Sequence, residues 1–256
     1  MQRVDLNCDL GESFGDYRIG CDEDVMPLIT SANVACGWHG GDPLVMQKAV
    51  TLCAQAGVHV GAHPGLPDLM GFGRRSMAVS HAEAKAYVQY QVAALAGMCA
   101  AQGVALRHVK LHGALYNMAG GDYALARAIC DGVAALDQRL ILLALSGSHM
   151  VRAAKDAGLA VAQEVFADRA YEADGSLVAR GKPGAMITDE DEAVSRVVGM
   201  VCEGRVRAVT GEIITIAADS ICIHGDGDKA LAFARRIRGA LAQRGVDLCP
   251  LGTADV

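Results

Sequence analysis

Short β-prone apolar runs alternate with longer amphipathic stretches from one end of the chain to the other. This is the pattern of parallel strands joined by crossover helices. The apolar runs predict strands over 4–7, 31–35, 58–62, 108–111, 140–145, 160–165 and 220–224, with an eighth at 206–210. The amphipathic stretches predict helices over about 43–56, 81–102, 122–136, 148–157, 189–203 and 227–244. Several helix starts are written chemically. Asp42-Pro43 sets an N-cap before a proline at the first helical position, and Ser80 to Glu83 and Thr188 to Asp191 read as capping boxes. Gly57, Gly103, Gly158, Gly204 and Gly245 each follow a helical run, where a left-handed residue ends the helix at least cost as glycine. With no linker or low-complexity tract interrupting the series, the expectation is a single domain over residues 1–256 whose seven or eight strands alternate with helices in the manner of a β/α barrel.

Composition narrows the class. The 256 residues are 52% apolar and 20% charged with a formal net charge of −6, so no basic field exists to draw nucleic acid or anionic lipid. The nine cysteines include no C-x-x-C pair, which points away from a disulfide framework or zinc ribbon and toward a reducing cytoplasm. Residues 1–5 run into a charged motif without an apolar signal core, and 140–145 is far shorter than the ~20 residues a membrane span needs. The expectation is a cytoplasmic protein with no membrane contact.

In a β/α barrel the reactive side chains stand at the carboxyl ends of strands. Polar residues collect there: Asp5 and Asn7 after the first strand, His39 after the second, His63 after the third, Lys110 and His112 at the fourth, Glu164 and Asp168 at the sixth, His224 at the seventh. Asp5 and Asn7, like Lys110 and His112, are two apart and share a strand face. A lysine in an otherwise apolar strand needs a carboxylate or ligand, and burial would lower its pKa toward the acid–base range. His59 and His81 fall away from the expected mouth and receive no role. The two H-x-x-x-H spacings, His59/His63 and His108/His112, span ~13 Å on a strand and do not share an ion. A divalent metal instead has Asp5, Asn7, His39 and His63 as candidate ligands, drawn from different strands. Gly175 to Lys182 lacks P-loop spacing. The glycine-dense Cys36 to Gly41 turn offers amides to an anion or serves only as a tight βα turn, and Gly71-Phe-Gly-Arg-Arg75 offers Arg74 and Arg75 to an anionic ligand or to surface ion pairs.

Longer motifs add a resemblance. Val4-Asp-Leu-Asn-Cys-Asp-Leu-Gly-Glu-Ser-Phe-Gly15, Ser31-Ala-Asn-Val-Ala-Cys-Gly37, Gly61-Ala-His-Pro-Gly65, Gly71-Phe-Gly-Arg-Arg75, Lys110-Leu-His-Gly-Ala-Leu-Tyr-Asn117, Glu164-Val-Phe-Ala-Asp-Arg-Ala-Tyr171 and Ile221-Cys-Ile-His-Gly-Asp226 resemble the LamB/YcsF family, the A subunits of 5-oxoprolinase. Trp38 and Gly40 stand where Phe and Ala are expected, and Leu111 where proline is usual. The resemblance implies an α/β fold, an irregular TIM-like (β/α) barrel of about seven strands similar to the glycoside hydrolase/deacetylase superfamily. It also implies opening of 5-oxo-L-proline to L-glutamate, with ATP as co-substrate and the 5-oxoprolinase B and C subunits as partners. Within that reading Lys110, His112, Asp5 and Glu164 are the expected catalytic residues, and Asn7, His39, Arg74, Arg75, Asp168 and His224 the expected substrate contacts. The alternatives are a metal-dependent carbohydrate deacetylase and a non-catalytic substrate-binding subunit.

Overall fold

The computed structural model describes residues 2–223 and 230–252, so the candidate His224 lies outside the described residues. Strand β1 (Gln2–Leu10) leads to helix α1 (Asp22–Val25), β2 (Ser31–Ala35), α2 (Pro43–Ala56), β3 (His59–His63), α3 (His81–Ala101), β4 (Leu106–Lys110), α4 (Gly113–Gly121) and α5 (Tyr123–Leu136). There follow β5 (Ile141–Leu145), α6 (His149–Asp156), β6 (Ala160–Phe166), α7 (Glu190–Glu203), β7 (Arg205–Arg207), β8 (Ile213–Thr215), β9 (Ser220–Ile223), α8 (Ala230–Gln243) and β10 (Val246–Leu248). Strands β1 to β6 and then β9 pair in parallel, and β9 pairs back onto β1 with Asp5 opposite Ser220, closing the seven-stranded barrel. Strand β10 adds to the first half of β1. The run expected at 206–210 is not a barrel strand: β7 forms a two-stranded antiparallel sheet with β8.

Alternation along the strands separates two interiors. Leu6, Cys8, Leu10, Val34, Val60, Val109, Leu142, Val165 and Ile221 belong to one apolar cluster with buried residues of the surrounding helices, while Asp5, Asn7, Asn33, His108, Lys110, Glu164 and Ser220 bond one another inside the barrel. Leu143, Ala162 and Leu251 make a small separate apolar cluster, and His59 Nδ1 lies 3.2 Å from the Leu251 carbonyl, a structural bond for a histidine given no other role.

The helix starts follow their side chains. Asp42 accepts from the Leu44 and Val45 amides, and the Ser80/Glu83 box is complete. The third start is displaced by one residue: Asp189, not Thr188, caps α7 by accepting from the Glu192 amide. Among the described residues no helix is long and apolar enough to cross a membrane, and all nine cysteines are free.

Candidate active site

The barrel lumen is a chain of paired polar groups, built from the amino end of the strands upward. Asp5 is 2% exposed and accepts from Thr30 Oγ1 at 2.7 Å, Ser31 Oγ at 2.6 Å and the Ser220 hydroxyl. Burial pushes its pKa up to about 6 against the pull of those three donors. Above it, the Asn7 amide donates to Glu164 Oε1 at 2.9 Å and Ser220 Oγ at 2.7 Å, while its carbonyl accepts from Asn33 Nδ2 at 2.7 Å and Lys110 Nζ at 3.2 Å. The strand expected to end at Asn7 in fact continues to Leu10. Asp5 and Asn7 are therefore set below the mouth, and Asp9, two residues further on the same face, takes the position assigned to them.

Lys110 is the hub of this network. Its Nζ lies 2.8 Å from Glu164 Oε1, 2.9 Å from Asp9 Oδ1 and 3.1 Å from Cys222 Sγ, with the Phe166 ring centroid 5.4 Å away. Burial works against the charge, but Asp9, Cys222 and Glu164 together outweigh it and hold the amine well above its ordinary pKa. The expected downward shift is thus reversed: the neighbouring carboxylates favour the charged amine. Glu164 is spent on Asn7, Lys110 and, through Oε2, the Tyr116 hydroxyl at 2.8 Å. His108 donates from Nε2 to Asn33 Oδ1 at 2.8 Å and is held neutral by burial, its pKa lowered to about 3. The His108 ring covers Gly61 so closely that a Cβ there would overlap it.

At the mouth, Glu12, His39, His63 and His112 each offer one ligand atom within 4.8 Å of the others. His63 ends β3, His112 caps the start of α4, and Glu12 and His39 sit on the loops after β1 and β2. The tautomers are constrained. His63 Nδ1 donates to the Lys110 carbonyl at 2.8 Å and His112 Nε2 to the Phe72 carbonyl at 2.8 Å, since a carbonyl can only accept. Phe72, the one described non-glycine residue with positive φ (54°), offers that carbonyl from a left-handed conformation. The remaining nitrogens, His63 Nε2 and His112 Nδ1, face each other at 2.9 Å. In neutral rings both are lone pairs, an arrangement that calls for a proton or a cation between them. Burial, reinforced by neighbouring histidines, holds His112 and the stacked His39 (centroids 3.6 Å apart) well below the ordinary histidine pKa, which disfavours the proton. Glu12 Oε1 is 3.3 Å from His39 Nε2 and Asp9 Oδ2 is 3.3 Å from His63 Nε2, so negative charge borders the gap. The three imidazoles and one carboxylate fit a divalent transition ion. Of the metal ligands expected from sequence, His39 and His63 are in this cluster. Asp5 and Asn7 are bonded deeper in the barrel, and Glu12 and His112 complete the set.

Glu12, His63 and His112 line a pocket of about 710 Å³ that passes Asp9, Lys110, Tyr116 and Phe166 and reaches residues 145–149, 174–177 and 179–180, while His39 is buried behind it. Arg74 lines it, with its guanidinium 4.9 Å from the Phe72 ring centroid. Arg75 does not: it pairs with Asp68, so the ion-pair reading holds for this arginine. Asp168 is not on the pocket wall, whereas its neighbour Arg169 is. The Cys36–Gly41 turn closes on itself through Gly37 N to Gly40 O and lies off the pocket, and Trp38 packs on Tyr87 and Tyr90 of α3. Sequence reasoning missed Asp9, Glu12, Tyr116 and Arg169. All four lie inside the quoted motifs, and Asp9 continues the alternation of Asp5 and Asn7.

The profile of the LamB/YcsF family matches residues 4–255. The 5-oxoprolinase A subunit of Clostridium beijerinckii is 60% identical over 251 residues, 98% of each chain. That of Pyrococcus abyssi is 55% identical over 249 residues, 97% of this chain and 98% of its own. The crystal structure of the lactam utilization protein from Thermus thermophilus superposes with a TM-score of 0.92 at 47% identity, covering 98% of this chain and 100% of its own. A putative cellobiose-phosphate cleavage protein from Enterococcus faecalis, 13% identical with a TM-score of 0.61 and 97% coverage of both chains, shares the fold alone.

Proposed function

The chain belongs to the LamB/YcsF family, and from that premise we propose that it is the A subunit of an ATP-dependent 5-oxoprolinase, opening 5-oxo-L-proline to L-glutamate together with the B and C subunits. The observation that carries the reading is the pocket wall, where a lysine paired with two carboxylates lies among the same lining residues as Glu12, His63 and His112 of the histidine–carboxylate cluster. A five-membered lactam is a poor electrophile. Its opening needs charge stabilised on the carbonyl oxygen, a placed water and a proton for the departing ring nitrogen. Lys110 supplies the fixed positive charge, oriented before substrate arrives by Asp9, Glu164 and Asn7. Asp9, its second oxygen toward His63, accepts the proton of the attacking water and returns it to the departing ring nitrogen, and the Tyr116 hydroxyl and Glu164 keep Lys110 in register. A divalent ion held by Glu12, His39, His63 and His112 would supply Lewis acidity and lower the pKa of a bound water. ATP activates the lactam oxygen by phosphorylation, ADP leaves, and the phosphate is released as water completes the conversion to glutamate; the nucleotide is held either by the partner subunits or by loops of this chain without P-loop spacing. The free thiols fit a reducing cytoplasm.

Glutamate release from 5-oxoproline by the purified chain, with and without the B and C subunits and ATP, tests this. Turnover is expected only with all of them, and full turnover by the isolated chain without ATP would sink the proposal. The Glu12/His39/His63/His112 cluster also favours a second reading, a metal-dependent deacetylase of N-acetylated sugars acting alone. Acetate release without ATP would select it.

A further inference from the structure

The pocket wall also carries a guanidinium that forms no ion pair among the described residues. Arg169 follows β6 by three residues, is 5% exposed and lines the pocket. Its Nη2 donates to the Val178 carbonyl at 2.6 Å, and its Nε is buried with no partner. No carboxylate forms an ion pair with it among the described residues. Burial, then the like charge of Arg180, lowers its pKa, opposed more weakly by Asp168. The other buried cation of the pocket, Lys110, is matched by Asp9 and Glu164. A buried guanidinium is costly unless paired, and the loop that carries it is tied down: Ala170 N bonds Ala185 O, Val178 N bonds Ala170 O, and Arg196 Nη2 bonds the Arg169 carbonyl at 3.2 Å. The charge is held in place, and among the described residues no carboxylate is paired with it, which leaves it available to an anion of a bound ligand.

We infer that Arg169 is the anchor for an oxyanion of the bound ligand, taking the carboxylate of a cyclic amino-acid lactam while the reacting amide faces Lys110 and the histidine cluster. The inference rests on the lactam reading for the identity of the anion and on geometry alone for the existence of the subsite. Arg180, on the same wall, adds positive potential. A guanidinium suits this task because its planar donors match a carboxylate and remain charged. The arrangement makes Arg169 a specificity determinant: neutral lactams of the same ring size lose their anchor yet keep their access to Lys110.

Calorimetric titration of the full-length chain with 5-oxoproline, its carboxamide, 2-pyrrolidinone and inorganic phosphate tests this, with Arg169→Gln and Arg169→Lys alongside. The parent is expected to bind 5-oxoproline at least about tenfold more tightly than the carboxamide, the range of a charge-assisted pair. Arg169→Gln should erase that preference and leave pyrrolidinone unchanged, with Arg169→Lys intermediate. Tighter binding of phosphate than of 5-oxoproline, lost in Arg169→Gln, would keep the anion subsite and transfer it to a phosphoryl group, overturning the lactam reading alone. Equal binding of acid and carboxamide by the parent with no phosphate binding, a result needing no variant to fold, overturns the inference. So does a folded Arg169→Gln protein that binds every probe as the parent does.

Discussion

At the scale of single residues, the lumen is decided by who pairs with whom. Removing the Lys110 amine leaves Asp9 and Glu164 facing each other in the barrel without their cation. Loss of one partner of a buried ion pair costs about 3–5 kcal/mol. Lys110→Ala is therefore expected to lower unfolding stability by that much and, in the assembled enzyme, turnover by ~100-fold or more; denaturant titration and steady-state rates read the two effects separately. A folded variant with parental turnover would remove Lys110 from the chemistry. Gly61 and His108 form a second test pair. Gly61→Ala should be strongly destabilising because its Cβ meets the His108 ring, and His108→Ala in the same chain should recover part of the loss, a coupling that a double-mutant cycle measures. Additive effects would mean that the two residues do not share that space.

The same scale explains what could be read in advance. The fourth-strand pair Lys110 and His112 was visible because charged and titratable residues in an apolar run demand a partner, but the sign of the lysine shift was not, since it depends on carboxylates of β1 and β6 arriving from 101 and 54 residues away in sequence. Asp5 and Asp9 are alike in type and face. Only the true end of β1 tells which one meets the pocket.

Among the elements, starts and stops written in short-range chemistry were legible: α2 spans Pro43–Ala56 as its cap and Gly57 (φ 68°) dictate, and β2 spans Ser31–Ala35. Helix α4 was not. Gly113, Gly120 and Gly121 give it little helical propensity and it starts only three residues after β4, so tertiary support sets it: the Ala114 amide bonds the Gly73 carbonyl at 2.9 Å and Tyr116 reaches Glu164. A locally determined element should yield to a local change. Ser80→Ala removes the hydroxyl half of the α3 box and is expected to cost about 1 kcal/mol with the site unaffected. A thermal shift with unchanged turnover fits this; lost activity in a fully folded variant does not.

For the whole molecule, acid and cations are the levers. His108 has a folded pKa of about 3 against 6.5 when unfolded, so below pH 6.5 the unfolded chain takes up a proton that the native one refuses. Its contribution to stability is intact above pH 6.5 and falls as pH drops toward 3, by up to about 5 kcal/mol. Asp5 acts oppositely, gaining as pH falls from about 6 to 3.8 because its native carboxyl binds the proton more tightly. Subtracting the pH–stability curve of His108→Asn from that of the parent isolates the histidine. A flat difference between pH 6.5 and 3 would deny its burial as a neutral ring. A transition ion seated on Glu12, His39, His63 and His112 should raise the melting temperature, about 2.7 kcal/mol of stabilisation at a hundredfold excess over Kd. That response should vanish in His63→Ala. A chelated parent insensitive to every divalent ion tried would leave the cluster as a proton-sharing pair.

Barrel closure carries a kinetic consequence. Asp5 is held by hydroxyls from Thr30, Ser31 and Ser220, so one carboxyl joins the first strand both to its sequence neighbour and to a strand 215 residues away. The β1–β2 half of that contact is local and can form early, whereas the β1–β9 half waits until the intervening strands have assembled. Lys110 meets Cys222 only across that same seam. A chain stalled before closure would hold the four mouth ligands, all from residues 12 to 112, yet lack the wall that confines Lys110. Ser220→Ala should accordingly speed unfolding and barely slow folding, while Ser31→Ala should do more to the folding limb of the chevron.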